Sequence, residues 1–362
     1  MNPINTLNPT TEEMTTSQHL PHNPRPQKEF LRYIHNFRGI AILFVVGGHA
    51  YLTLSWKAGS PSQKFFDAFW QNGSVLFVFI AGFLFQHLSW KFEYKKYLQS
   101  KLSNVLIPYL IISAPEIIYR LYTNKFMDFS VTENPDILHW SLLHKLSYML
   151  FQGAHLPQLW FVPMIFLFYL IAPILIYMDR HPKLYWTLIL TVVISILVER
   201  RPFSNIPKMF VHFFSVYQFG MFISHYKNKF LEVAKKYWIL LSVLTVLFFS
   251  LTMIYYSSEA YPLSYIHKMF FCMFFLYWGW RLDKYLPKFL GYLAEISFGI
   301  FFIHYYFNIA YYTLAQHYFP SAKIGNPLTW MLCMIFVILG SMAFIELIKK
   351  VFPQYHRNII GC

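Results

Sequence analysis

The chain has 362 residues, of which 56% are hydrophobic, 21% aromatic and only 13% charged, and its formal charge is +14. Soluble domains carry about 25% charged residues, so this composition, with a mean hydropathy of +0.39, excludes an ordinary soluble domain and predicts an all-α polytopic membrane protein. The basic excess is read as lysine and arginine held on one side of a membrane, because no nucleic-acid-binding motif accompanies it.

In chain order, residues 1–30 are polar and rich in Asn, Thr and Pro, which predicts a disordered cytoplasmic tail. No apolar h-region precedes Arg38, so a cleaved signal peptide is not expected. Residues 31–362 read as one transmembrane domain without an internal repeat. A span needs roughly 20 apolar residues. Candidates lie near 38–56, 72–90, 103–122, 158–178, 184–199, 208–225, 236–256, 265–281, 289–311 and 326–348, about ten helices. Pro108, Pro115, Pro163 and Pro173 fall inside spans, where kinks are tolerated if neighbours re-satisfy the backbone.

An even number of spans puts both termini on one side. Lys and Arg outnumber those of the other side by about two to one there, which predicts cytoplasmic N and C termini in a multi-pass inner-membrane protein. The stretch "ERRPF" (Glu199–Phe203) runs against this, placing two arginines outside, either snorkelling to headgroups or facing an anionic acceptor. Cys272, Cys333 and Cys362 lie far apart and suggest no disulfide framework. The 15 histidines show no metal-ligand spacing such as HExxH, so no catalytic metal is expected.

The first span, "FRGIAILFVVGGHAYLTLSW" (Phe37–Trp56), carries Arg38 and His49, both costly in lipid and therefore functional candidates. Eleven residues apart on a helix, they project within about 20° of each other and about 16 Å apart along the axis. Gly39, Gly47 and Gly48 thin the helix and let another helix or a ligand come close. A guanidinium suits phosphate. An imidazole suits a general base near neutral pH. A donor with its phosphates at Arg38 and its reactive end at His49 needs an arm like the pantetheine of coenzyme A. Read singly, Arg38 is also a positive-inside anchor and His49 a buried histidine bonded to a carbonyl.

This spacing, Arg38, ten residues, then His49, resembles the signature of the acyltransferase-3 family of membrane acyltransferases. "FVFIAGFLF" (Phe77–Phe85), "YLQSKLSNVLIPYL" (Tyr97–Leu110), "LWFVPMIFLFYLIAPIL" (Leu159–Leu175), "VYQFGMFI" (Val216–Ile223) and "EISFGIFFIH" (Glu295–His304) resemble its further landmarks in order. The resemblance implies a ten-helix fold and transfer of an acyl group, usually acetyl from cytoplasmic acetyl-CoA, to a hydroxyl of a cell-surface glycan. It implies no permanently bound cofactor. It implies as partners an acyl-CoA donor, a glycan acceptor such as exopolysaccharide, capsule or O-antigen, membrane lipid and polysaccharide assembly proteins, with no nucleic acid. Ala81 stands where the family often has serine, and Lys101 where arginine is usual. The esterase-like extracytoplasmic domain fused to some members is not expected here.

Further candidates follow from position. Glu116 sits about as deep as His49 and is a carboxylate that would fix the imidazole tautomer as its catalytic partner; it also stands i, i+4 from Arg120, where an ion pair is expected. Lys101 lies on the cytoplasmic side, where it is a candidate second phosphate contact or one of the basic residues that topology alone places there. Ser297 and His304 are seven apart on one face of the ninth span, with Asn308 a turn beyond, and are candidates for acceptor or thioester contact or for interhelical hydrogen bonds. Trp160 follows the longest outer loop and suits a sugar face or the membrane interface. Two other readings are a transporter or flippase lined by Arg38 and Glu116, and a non-catalytic scaffold of an envelope polysaccharide machine.

Overall fold

The stretch from Arg32 to Thr53 forms one helix, α1, although it holds Arg38 and His49, because both sit on faces covered by other helices. The computed structural model describes residues 30–198, 205–255 and 261–362; the predicted tail up to residue 29 and the "ERRPF" loop lie outside the described residues. After α1 come α2 (Pro61–Trp70), α3 (Gly73–His87), α4 (Tyr94–Lys101) and α5 (Ile107–Thr123). Then α6 (Asp128–Glu133) and α7 (Leu142–Gln152) precede α8 (Phe161–Leu170), α9 (Ala172–Arg180) and α10 (Thr187–Leu197). The rest is α11 (Ile206–His225), α12 (Lys227–Lys236), α13 (Trp238–Ile254), α14 (Tyr261–Arg281), α15 (Lys288–Tyr318), α16 (Pro327–Val351) and α17 (His356–Ile360).

Breaks follow from local chemistry. Between α4 and α5 the ladder widens into a π-helical turn at Leu102–Leu106. Pro108 has no N–H for the carbonyl of Asn104, and the Asn104 side-chain Nδ2–H donates to Ser100 O at 2.7 Å. Helices α8 and α9 meet at a 57° bend, where Pro173 removes a backbone donor. Helix α16 starts in a capping box, Asn326 accepting from Leu328 and Thr329 while Thr329 accepts from Asn326.

In its described residues each predicted span coincides, to within a few residues, with one helix or with consecutive helical segments, and the protein is all-α and polytopic. The count is lower when length and apolarity are required. Pro61–His87, Tyr94–Thr123, Lys288–Tyr318 and Pro327–Val351 qualify alone. Counting α8 with α9, and α12 with α13, as one bent span each gives up to six among the described residues. The expected ten is therefore met only in part. The reason is chemical: α1, α11 and α14 bury polar groups such as Asn36, His212, Gln218 and His267, which lower their apolarity, and the helical stretch Pro182–Leu197 is short. Outer faces are apolar, as on α13 (Ile239, Val243, Val246) and α16 (Leu328, Leu332, Leu339), which suits lipid rather than water.

Helix α1 is central. A Cβ at Gly39 would collide with the carbonyl of Leu290, so α1 and α15 touch backbone to backbone there. The two run parallel, since His35 Nε2 contacts Gly291 O at one end and Thr53 lies against Asn308 at the other. On its second side α1 packs on α3, with Phe37 against Phe79. Gly82 and Gly220 make the equally close crossing of α3 with α11.

Candidate active site

Two polar rungs join α1 to α15, at the two residues that the α1 spacing singled out. At the lower rung, Arg38 Nη2–H donates to Ser297 Oγ at 3.0 Å, and that hydroxyl donates to Ala294 O. At the upper rung, the His49 and His304 rings lie 4.9 Å apart between centroids, and Nδ1 of His49 is 2.9 Å from Nε2 of His304. One turn on, the Thr53 hydroxyl lies 2.8 Å from His49 O and 3.1 Å from Asn308 Oδ1. Side chains seven and four residues apart on α15 thus meet side chains eleven and four apart on α1.

The backbone orders the protons of the upper rung. His304 is buried, and its Nδ1 faces the carbonyls of Ile300 and Phe301 at 2.9 and 2.8 Å. A carbonyl only accepts, so Nδ1 of His304 carries the hydrogen and its Nε2, in the neutral ring, carries a lone pair. Nε2 therefore accepts, and Nδ1–H of His49 donates. That leaves the basic lone pair of His49 on Nε2, the nitrogen turned away from His304. The Tyr305 ring meets His49 edge-on at 5.7 Å.

The other predicted residues divide into near and far. The nitrogen of His49 expected to receive a carboxylate receives His304. Glu116 instead pairs with Arg120 on α5, and both are buried. Arg120 also donates to the carbonyls of His155 and Lys125 and contacts the Met127 sulfur, so it closes the loop after α5. Lys101 ends α4 with its ammonium 5.3 Å from the Tyr97 ring and 5.1 Å from the Tyr169 ring, and the charge of Arg38 acts on it. Trp160 is buried at the start of α8 and stacked on Phe213 at 5.7 Å.

Asp179 was not singled out from sequence. It is buried where α3, α9 and α11 end, and accepts from Tyr185, Ser89 and Gln86 while contacting His225. An acid inside the apolar stretch "LIYMDRH" was the available signal.

Arg38 and His49 are half-buried and Ser297 and His304 buried within an apolar helical protein, where ionisable side chains mark a candidate functional site. A family model described as an acyltransferase domain matches residues 31–346. The chain belongs to the acyltransferase-3 family. Neither a curated protein nor a solved structure gives a significant match. As a member of that family it is a membrane acyltransferase, and the two α1–α15 rungs lie within the matched region.

Proposed function

We propose that this acyltransferase moves an acyl group, acetyl from cytoplasmic acetyl-CoA in the first instance, to a hydroxyl of an extracytoplasmic glycan, with about ten spans and both termini in the cytoplasm. The observation that carries the reading is the proton order of the His49–His304 rung, with the fixed cation Arg38 about three turns below it on the same helix.

Arg38, held by Ser297, and Lys101 bind donor phosphates at the cytoplasmic mouth, and the pantetheine arm rises along α1. Ser297 thus acts on the donor side, as a positioning residue for Arg38. The lone pair on Nε2 of His49 takes the proton of the acceptor hydroxyl as its oxygen attacks the thioester carbonyl carbon. The C–S bond breaks, and the thiolate takes the proton from the His49 imidazolium to leave as the thiol. His304, neutral throughout, accepts from Nδ1–H of His49 before and after transfer, so the charge that develops on His49 keeps its hydrogen bond. Tyr305, edge-on to His49, meets the acceptor beside the base, and Trp160, at the start of α8, is the candidate for stacking on its sugar.

The test is single-turnover labelling in proteoliposomes, with radiolabelled acetyl-CoA on the terminus-facing side and crude envelope glycan on the other. The wild-type protein labels the glycan. His49→Ala, folded and inserted, loses at least about a hundredfold, the usual contribution of a general base. Normal labelling by His49→Ala would overturn the mechanism. Absence of label across several acyl-CoA donors, with substrate movement instead, would favour a transporter.

A further inference from the structure

The family match ends at residue 346, yet one more helix returns to the donor mouth. Helix α17 lies on α5 and the π-helical turn. Asn358 Nδ2–H donates to Ser103 Oγ at 3.0 Å, two residues beyond Lys101. Ile360 is buried, Gly361 turns the chain at φ 80°, and His356 Nδ1 closes on the carbonyl of Cys362. The Cys362 sulfur lies in the notch left by Gly299 of α15. The segment is pinned to the turn that directly follows Lys101 and to α15, which carries Ser297.

This docking brings Arg357 into the field of Lys101. The two charges that act on the Lys101 ammonium are those of Arg38 and Arg357. Among the described residues none of these three cations forms an ion pair. Of the carboxylates at this end, Asp283 pairs with Arg32, Glu93 with Lys96 and Glu346 with Lys349 and Tyr292, while the exposed Glu295, whose charge reaches Tyr292 and Cys362, forms no ion pair with any of the three cations among the described residues. Lys101 is thus repelled by both arginines, and an anion placed beside it offsets that repulsion. Arg38 and Lys101 are half-buried, whereas Arg357 is exposed, so Arg357 stands at the rim and meets the part of a donor nearest the cytoplasm.

We infer that Arg357, delivered by α17, is the third cation of the donor site and binds the 3′-phosphate of the coenzyme A nucleotide. The inference rests on the acyl-CoA reading above. In it, Arg38 and Lys101 hold the pyrophosphate nearer the arm, and Arg357 distinguishes CoA from its 3′-dephospho form.

The test is calorimetric titration of the purified full-length protein in nanodiscs with CoA and with 3′-dephospho-CoA. Wild type binds CoA about tenfold more tightly, the lower end for a hydrogen bond to a charged group. Arg357→Gln binds both at the wild-type 3′-dephospho-CoA level, and Arg357→Lys keeps part of the preference. Arg32→Gln, which removes a cation paired with Asp283 at the same end, leaves the ratio unchanged. An unaltered preference in Arg357→Gln, with melting as in wild type, would overturn the inference and leave the donor reading standing. Should wild type bind neither compound, the donor reading itself falls and this inference with it.

Discussion

At the scale of single residues, the decisive contact is between two histidines 255 positions apart. His304 donates through Nδ1 to its own helix, so it meets His49 only as an acceptor. Removing that acceptor leaves Nδ1–H of His49 without its fixed partner and its tautomer unset. His304→Leu is therefore expected to lower kcat by about 10–100-fold, the penalty of one lost buried hydrogen bond, with the KM for the acyl donor unchanged because the proposed phosphate contacts lie at Arg38, away from this rung. His304→Gln offers an amide oxygen at a similar reach and is expected to recover most of kcat. Steady-state kinetics on the three proteins decide it. Full activity in His304→Leu would show that His49 needs no orienting partner, and a raised donor KM would move His304 to substrate binding.

At the scale of elements, helix periodicity made the face shared by Arg38 and His49 readable, because 3.6 residues per turn fixes direction without knowledge of neighbours. The same rule aligned Ser297 with His304. Which helix each face meets was not readable, since it depends on the close approach at Gly39 and Leu290; a glycine in sequence tells only that some partner is near. Acceptor contact for Ser297 therefore could not be separated from the Arg38 contact that the fold provides. Glu116 is the opposite case: its partner was four residues away and visible in the sequence. Helix α5 buries that pair, and a buried charge deprived of its partner costs about 3–5 kcal/mol. Glu116→Ala and Arg120→Ala are each expected to lower the melting temperature sharply. The double variant Glu116→Leu/Arg120→Met, apolar and of similar volume, is expected to recover stability and acylation together. If the double variant melts like wild type yet does not acylate, Glu116 acts in the chemistry rather than only in α5.

At the scale of the whole molecule, segments far apart in sequence gather at two ends. The start of α1 meets Asp283 and Gly291, the end of α16 meets Tyr292, and α17 meets Ser103. At the opposite end, Ser55 pairs with the backbone around Ile324 and Thr53 with Asn308. Parallel packing of α1 and α15 requires that both cross in the same sense, as the first and ninth of alternating spans would. The basic residues Lys101, Lys349 and Arg357 accumulate at the first end, the end that the proposed topology turns to the cytoplasm. Tyr285 is 82% exposed at that end and Tyr318 is 71% exposed beyond the other, so single cysteines there report the two sides. Cys272 and Cys333 are buried, and burial holds the Cys362 thiol above its usual pKa, which suppresses the thiolate that maleimide needs; replacing Cys362 by serine removes what reactivity remains. In sealed right-side-out vesicles a membrane-impermeant maleimide is expected to label Tyr318→Cys directly and Tyr285→Cys only after permeabilisation. The reverse pattern would put the donor mouth outside, where cytoplasmic acyl-CoA does not reach Arg38. Labelling of both from one side would mean that α15 does not cross, and a relay along α1 and α15 would then join no two compartments.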